Sequence, residues 1–208
     1  MEQKERPILF SAPMVKAILE GRKTQTRRVI KLRKGDTIGR IYDSQSTEYI
    51  ICGKDGDEVP MEFACPYGSV GDRLWVRESF AASYEGKTCQ FKADGKDIMP
   101  PREKWRPSIF MPRWASRITL EITDVRVQRV QEISLEDADA EGVSVYDSTG
   151  EYGDVLDYRT LWNKINGKIR NRQFTLDDKS NKHYIKGQIG EYSWEANPWV
   201  WAITFWRI

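Results

Sequence analysis

The chain has one histidine, His183, and three widely spaced cysteines, Cys52, Cys65 and Cys89, with no C-x-x-C pair among them. That scarcity argues against a zinc site and a disulfide framework, and free thiols suit a reducing cytosol. No apolar run approaches the roughly 20 residues of a membrane span, and no N-terminal apolar stretch has the form of a secretory leader. A cytoplasmic protein without a membrane partner is the expectation. The signatures G-x-x-x-x-G-K-[ST], G-x-G-x-x-G, H-E-x-x-H and G-x-S-x-G are missing too. Readings as a P-loop ATPase, dinucleotide enzyme, zincin or α/β-hydrolase therefore have no support, and no metal or cofactor is expected. Neither an internal repeat nor a clean domain boundary divides the 208 residues, a length that suits one domain carrying long insertions.

Aromatic residues, by contrast, are plentiful: eight Trp, nine Tyr and seven Phe favour a β-rich interior, where flat rings pack on pleated surfaces. The net charge of +2 is too small to indicate a nucleic-acid partner by itself, but its distribution is uneven. Arg22, Lys23, Arg27, Arg28, Lys31, Arg33 and Lys34 form a wholly basic run. Glu132, Glu136, Asp137, Asp139, Glu141, Asp147, Glu151, Asp154 and Asp157 form a wholly acidic one. Brought together by the fold, the two neutralise each other or make a site of both signs. Kept apart, they leave a basic face able to take phosphates.

Along the chain, Pro7 to Phe10 reads as a buried first strand. Met14 to Leu19 is apolar at helical spacing, with Pro13 in the first turn and Gly21 at the stop. Strand fragments are expected within 29–42, around the turn at Lys34-Gly35-Asp36, and a hairpin turn at Gly53 to Asp57. Gly71-Asp72 leads into a two-faced strand, with Leu74 and Val76 on one side and Arg73, Trp75 and Arg77 on the other. Lys87 to Lys92 suits a strand, and Pro100-Pro101 an extended turn. Ile118 to Val130 carries the clearest alternation. Ser134 is placed as the N-cap of a short helix, with Asp137 standing in for the Glu of a capping box and Gly142 closing it. A second helix runs from Tyr158 to Ile165, with Leu161, Trp162 and Ile165 on one side, and 168–194 reads as a loop or hairpin. The bulky, β-prone run from Asn197 to Ile208 suits a strand buried centrally in a sheet or barrel.

Two groups of residues carry candidate chemistry. At Gly21 to Arg28 a helix end hands the chain to a lysine, two threonines and three arginines, which suits an anion or a polar base; a solvated basic edge is the plain alternative. Lys23 and Thr26 fall on opposite sides of an extended stretch, so a kink is needed to bring them together. Once together, a partly buried lysine can take the proton of a threonine hydroxyl, and a carboxylate completes an acid/base set. The second group interleaves Arg73, Trp75 and Arg77 with Arg113, Trp114 and Arg117, which suits a stacked base with its phosphate. The alternative is core tryptophans, with arginines paired to acids such as Glu78 and Glu121.

The segment Ile18 to Arg28 resembles the signature of ASCH-domain proteins, a superfamily related to PUA RNA-binding domains, roughly G-x-K-x-x-T-x-R after a short helix. Gly21, Lys23, Thr26 and Arg28 fill it. The G-D-x-L-x-V strand at Gly71 to Val76, the Ala-x-x-Glu-Gly helix end at Ala138 to Gly142 and the final apolar strand are similar as well. Met111 to Arg117 and Trp194 to Trp201 resemble a phage- and prophage-associated branch. The resemblance implies an α+β fold: a PUA-like mixed β-barrel flanked by short helices, with long insertions at 43–65, 81–105 and 168–192. It also implies binding of RNA or a modified nucleoside in a cleft beside Gly21–Arg28, with Arg22, Arg28, Arg73, Trp75, Arg77, Arg113, Trp114 and Arg117 as contacts. One small member is an amidohydrolase that deacetylates N4-acetylcytidine with a lysine, a threonine and a glutamate, matched here by Lys23, Thr26 and Glu141. Lys23 would activate Thr26 for attack on the acetyl carbonyl, with Glu141 handling protons or orienting the base. This chain is about twice as long as that enzyme, so its insertions can cap or reshape the cleft. A ribonuclease is a further alternative, though no histidine pair supports it.

Overall fold

A computed structural model describes residues 3–32, 36–42, 47–52, 56, 58–60, 65–82, 88–95, 104–143, 156–167, 174–176, 182–184 and 191–208. The fold is α+β, mostly sheet with few helices. The strands are β1 (Glu5–Leu9), β2 (Gln25–Val29), β3 (Thr37–Tyr42), β4 (Thr47–Cys52), β5 (Glu58–Pro60), β6 (Arg73–Arg77), β7 (Phe80–Ala82), β8 (Cys89–Phe91), β9 (Thr119–Arg129), β10 (Phe174–Leu176), β11 (Lys182–Tyr184) and β12 (Trp199–Arg207). The helices are α1 (Ala12–Leu19), α2 (Leu135–Ala140) and α3 (Leu156–Asn166).

The main sheet has the order β1-β6-β9-β12-β2. β1 runs parallel to β6, and the other pairs are antiparallel. β12 lies inside the sheet, as its apolar run on both faces predicts, with Val200 to Ile203 and Phe205 buried. Ile8, Leu74, Val76, Leu120, Ile122, Trp201, Ile203 and Phe205 form the core on one face, joined by Val15 and Ile18 of α1. Pro7 to Phe10 departs from the buried strand expected. β1 is an edge strand, so Ile8 and Phe10 are buried while Leu9 is exposed.

β1 and β2 are the two ends of this sheet, so among the described residues no backbone pairing closes it into a barrel. α1 connects the two ends and packs into the same core, and a side chain rather than a ladder crosses between them. The Arg28 guanidinium of β2 donates to the Leu9 carbonyl of β1 at 2.6 Å. Smaller sheets pair β3-β4-β5, β7-β8 and β10-β11. The last puts a short hairpin in the polar 168–194 stretch. β8 matches the strand expected near Lys87 to Lys92. The turns at Lys34-Gly35 and Pro100-Pro101, most of Gly53 to Asp57, and the acids Asp147, Glu151 and Asp154 lie outside the described residues. No helix among the described residues is long and apolar enough to cross a membrane.

α1 ends where Gly21 adopts φ +75° and donates to the Ile18 carbonyl. Lys23 N–H then returns to the Ala17 carbonyl at 3.1 Å, and this tight exit turns the following residues inward. Ser134 caps α2 by accepting from Asp137 N–H. The capping box is only half formed, because the Asp137 carboxylate turns instead to Arg27, Gln25 and Arg126. On α3 the buried pair is Tyr158 and Trp162, spaced i,i+4, and Ile165 is exposed, so the inward face is rotated from the one expected.

Candidate nucleoside site

The basic run after α1 is not a solvated edge at its centre. Lys23 and Arg27 have fully buried side chains, and Gln25 and Thr26 are buried with them. What makes this possible is the acidic helix α2, which lies against β2. Thr24 N–H donates to the Ala140 carbonyl at 2.8 Å, and Lys23 and Glu141 form an isolated antiparallel bridge. Gly142 follows at φ +78°, where an added Cβ would come within 3.0 Å of Ala17 and 3.2 Å of Lys23. Glycine is what lets α2 end this close to α1.

The Lys23 ammonium donates to three acceptors: Gln25 O at 2.8 Å, Glu141 O at 2.9 Å and Glu141 Oε2 at 2.7 Å. Those are all the donors it has. The other carboxylate oxygen, Glu141 Oε1, accepts from Arg27 Nη1 at 3.4 Å. Arg27 in turn bonds Asp137 Oδ2 at 2.6 Å, and Gln25 bridges Asp137 and Arg27. Two cations and two carboxylates thus share one interior cluster, and opposite runs of the sequence neutralise each other there. Burial pulls the Lys23 amine below its usual range, and the charge and hydrogen bond of Glu141 offset this only in part. Burial pushes the Asp137 carboxyl up, but Arg27, the Gln25 bond and Arg126 outweigh it and hold the group below the usual carboxylate range. Burial raises the Tyr158 hydroxyl well above its ordinary value; the charge of Glu141 and a hydrogen bond to that carboxylate add to the rise.

Beside this cluster opens a cavity of about 830 Å³. Its polar lining includes Thr26, Arg27, Arg28 and Glu141 together with Lys31, Lys164, Asn166 and three serines, and its rings are Phe10, Tyr67, Tyr158, Trp162 and Tyr192. Lys23 is not part of the wall; it stands behind Glu141, with Nζ 5.6 Å from the Phe10 ring centre. Arg28 lies over the same ring at 5.1 Å, and its Nε has no hydrogen-bond partner.

The structure therefore brings Lys23, Thr26 and Glu141 to one place, with the two carboxylate-linked residues in contact. Among the described residues no hydrogen bond joins Lys23 to the Thr26 hydroxyl. Arg28 reaches the cavity. Arg22 stays on the surface, paired with Glu20. The second arginine-tryptophan group splits. Trp75 is buried, with the Arg77 guanidinium 4.7 Å and that of Arg113 5.9 Å from its ring. Arg113 also pairs with Glu5 at 3.0 Å. Arg117 is held by Glu78 at 2.9 Å and Asp94 at 2.6 Å and lies over Phe91, which is the pairing to a nearby acid that the alternative anticipated. Trp114 is 59% exposed.

Gln25, Arg27, Asp137 and Tyr158 join the site although the sequence did not mark them as site residues. One signal for them was present: Asp137 and Glu141 are four residues apart on a short helix, so both carboxylates point the same way. Nothing local indicated which cations they would meet. Among the described residues no three His, Cys, Asp or Glu side chains gather in a way that could hold a metal ion. Scans against family models, curated proteins and solved structures find no match to this chain.

Proposed function

We propose that this chain is a PUA-like module that binds a nucleobase, as RNA or as a modified nucleoside, in the cavity beside Gly21–Arg28. In this reading the main sheet is a barrel whose β1–β2 seam is bridged by Arg28 rather than by a backbone ladder. The observation that carries it is the make-up of one cavity. Aromatic rings provide stacking surfaces, the Glu141 carboxylate accepts from base N–H groups, and Arg28 and Thr26 supply donors. Glu141 is anchored from behind by Lys23 and Arg27, so its position is fixed before a ligand arrives.

A second reading, deacetylation of an N4-acetylcytidine-type nucleoside, is favoured by one fact: Thr26 and Glu141 line the same cavity. Thr26 Oγ would attack the acetyl carbonyl, the bond to N4 would break as Glu141 passes the threonine proton to the departing amine, and water would then hydrolyse the acetyl-Thr26 ester to release acetate. Against Lys23 as the base stands its saturation, since all three of its donors are engaged and taking a proton requires first losing one. Binding is accordingly the leading reading.

The test is calorimetric titration of cytidine, N4-acetylcytidine and a short RNA into wild type, Glu141→Gln and Thr26→Val, with acetate release followed in parallel. Binding that weakens roughly tenfold or more in Glu141→Gln supports the reading, the size expected for one hydrogen bond to a charged group. Acetate release lost in Thr26→Val would move the assignment to the hydrolase. Absence of both binding and release would sink both.

A further inference from the structure

Three large apolar side chains on the segment 107–116 have no place in the core or in the cavity. This segment makes two 3₁₀ turns, Ser108–Phe110 and Arg113–Ala115. Met111 and Ala115 anchor the turns inward against Phe80, and Met111 has no exposed surface left. Phe110 and Trp114, each the residue before one of those anchors, face out at 69% and 59% exposure, with Ile109 at 58%. None of the three lines the cavity. Their exposure does not come from a loose backbone. The N–H groups of Phe110, Met111, Ala115 and Ser116 all donate to carbonyls within the segment. A backbone fixed in this way presents the side chains at a lower ordering cost on association.

The three expose about 400 Å² of apolar surface, within the range where a patch on one chain marks an interaction site. That is enough for the apolar centre of a standard interface, which takes about 800 Å² from each partner and is a little over half non-polar. The charges at its border fit a second copy. Arg113, next to Trp114, pairs with Glu5 at 3.0 Å, and both side chains are well exposed. The face thus carries a cation and an anion within one ion pair's reach, as a two-fold interface requires when it sets a patch against itself. An exposed pair of this kind contributes little and exchanges readily. The net charge of +2 gives two copies little mutual repulsion.

From these features we infer that the chain forms an isologous homodimer through its 109–114 face. Phe110 and Trp114 fill the centre, and Arg113 of each copy exchanges its own Glu5 for the partner's Glu5. Dimerisation stands or falls independently of what the cavity binds.

The experiment is sedimentation equilibrium over a concentration series. It covers wild type, Phe110→Ser/Trp114→Ser, Arg113→Glu, Glu5→Arg and an equimolar mixture of the last two. Wild type should pass from the mass of one chain to that of two as concentration rises. The serine variant should raise the dissociation constant at least about thirtyfold, the effect of losing one interface hot spot, with its melting temperature held because both side chains are exposed. Arg113→Glu and Glu5→Arg each set like charges together across the two-fold, so each alone should be largely one chain. Their mixture sets opposite charges together at both contacts and should dimerise again. Misfolding cannot produce that gain, and neither can the internal pair, which each variant still lacks. A wild type with the mass of one chain at every concentration would overturn the dimer, as would a dimer untouched by the serine changes. A mixture no more associated than its components would overturn the two-fold arrangement.

Discussion

Lys23 is the residue on which the interior cluster turns. An amine with no exposed surface persists because three acceptors meet it, two of them on Glu141. Removing one member of a buried ion pair leaves its partner uncompensated, which costs about 3–5 kcal/mol. Lys23→Met is therefore expected to lower unfolding stability by that amount in a urea titration. Adding Glu141→Gln to it should recover part of the loss, and a purely additive double variant would show that the two do not act as a pair. Lys23 was legible in the sequence as a candidate through its motif, but its role was not. Periodicity put it opposite Thr26 on an extended strand, and only the tight exit from α1 shows it turned toward Glu141. Arg27, the other cation of the cluster, looked no different from its exposed neighbour Arg22. Composition cannot tell a buried guanidinium from a solvated one when the acids that neutralise it lie about a hundred residues away.

Among the elements, α2 decides the site. Six residues long, it brings Asp137 and Glu141 to β2 and ends on a glycine wedged against α1 and Lys23. Gly142→Ala combines a left-handed backbone with contacts at 3.0 and 3.2 Å, and a non-glycine residue held there costs about 1–3 kcal/mol. The expected outcome is a lower melting temperature and, under the proposed function, weaker nucleoside binding, since any relief moves Glu141. A variant as stable and as tight-binding as wild type would show that the α2 end is not constrained. Both ends of this helix were readable, Ser134 from its capping pattern and Gly142 from its position. The destination of the Asp137 side chain was not, because a cap predicts a local bond and tertiary cations outcompeted it. The segment after β6 teaches the same lesson. Glu78, nearly inaccessible, binds Arg117 together with Asp94 and fixes the β7-β8 excursion to the sheet. Arg117 therefore braces the fold, while Arg77 and Arg113 pack against the buried Trp75 ring.

At the scale of the whole molecule, buried carboxyls in several places make stability depend on pH. Asp137 in the cluster, and Asp72 held by Arg6 and the N–H groups of Lys4 and Ser69, both sit below their ordinary value despite burial. A lowered carboxyl gives stability that is complete above its unfolded value, about 3.8, and that is lost as pH falls through the folded value. Glu78 has the opposite sign, since burial raises it, so its stabilising effect is lost as pH climbs above about 4.5 through the raised value. Asp137→Asn should accordingly lower stability at neutral pH and flatten the decline below about pH 4, as read by chemical denaturation across pH. An unchanged acid limb would remove Asp137 from the account.

What the sequence determined by itself was local. Alternation specified β6 and β9, helical spacing with Pro13, Gly21, Ser134 and Gly142 bounded α1 and α2, and the bulky run at the end, apolar on both faces, required an interior strand. These follow from neighbours a few residues apart, whose faces are set by periods of 2 and 3.6. Tertiary structure alone decided that the basic and acidic runs meet, that Tyr158 and Trp162 wall the cavity, and that Arg28 reaches from β2 to β1. Each of those depends on contacts between residues distant in sequence. They are settled by the burial of apolar faces across the whole chain, and the charged groups then pair with whatever that packing leaves beside them.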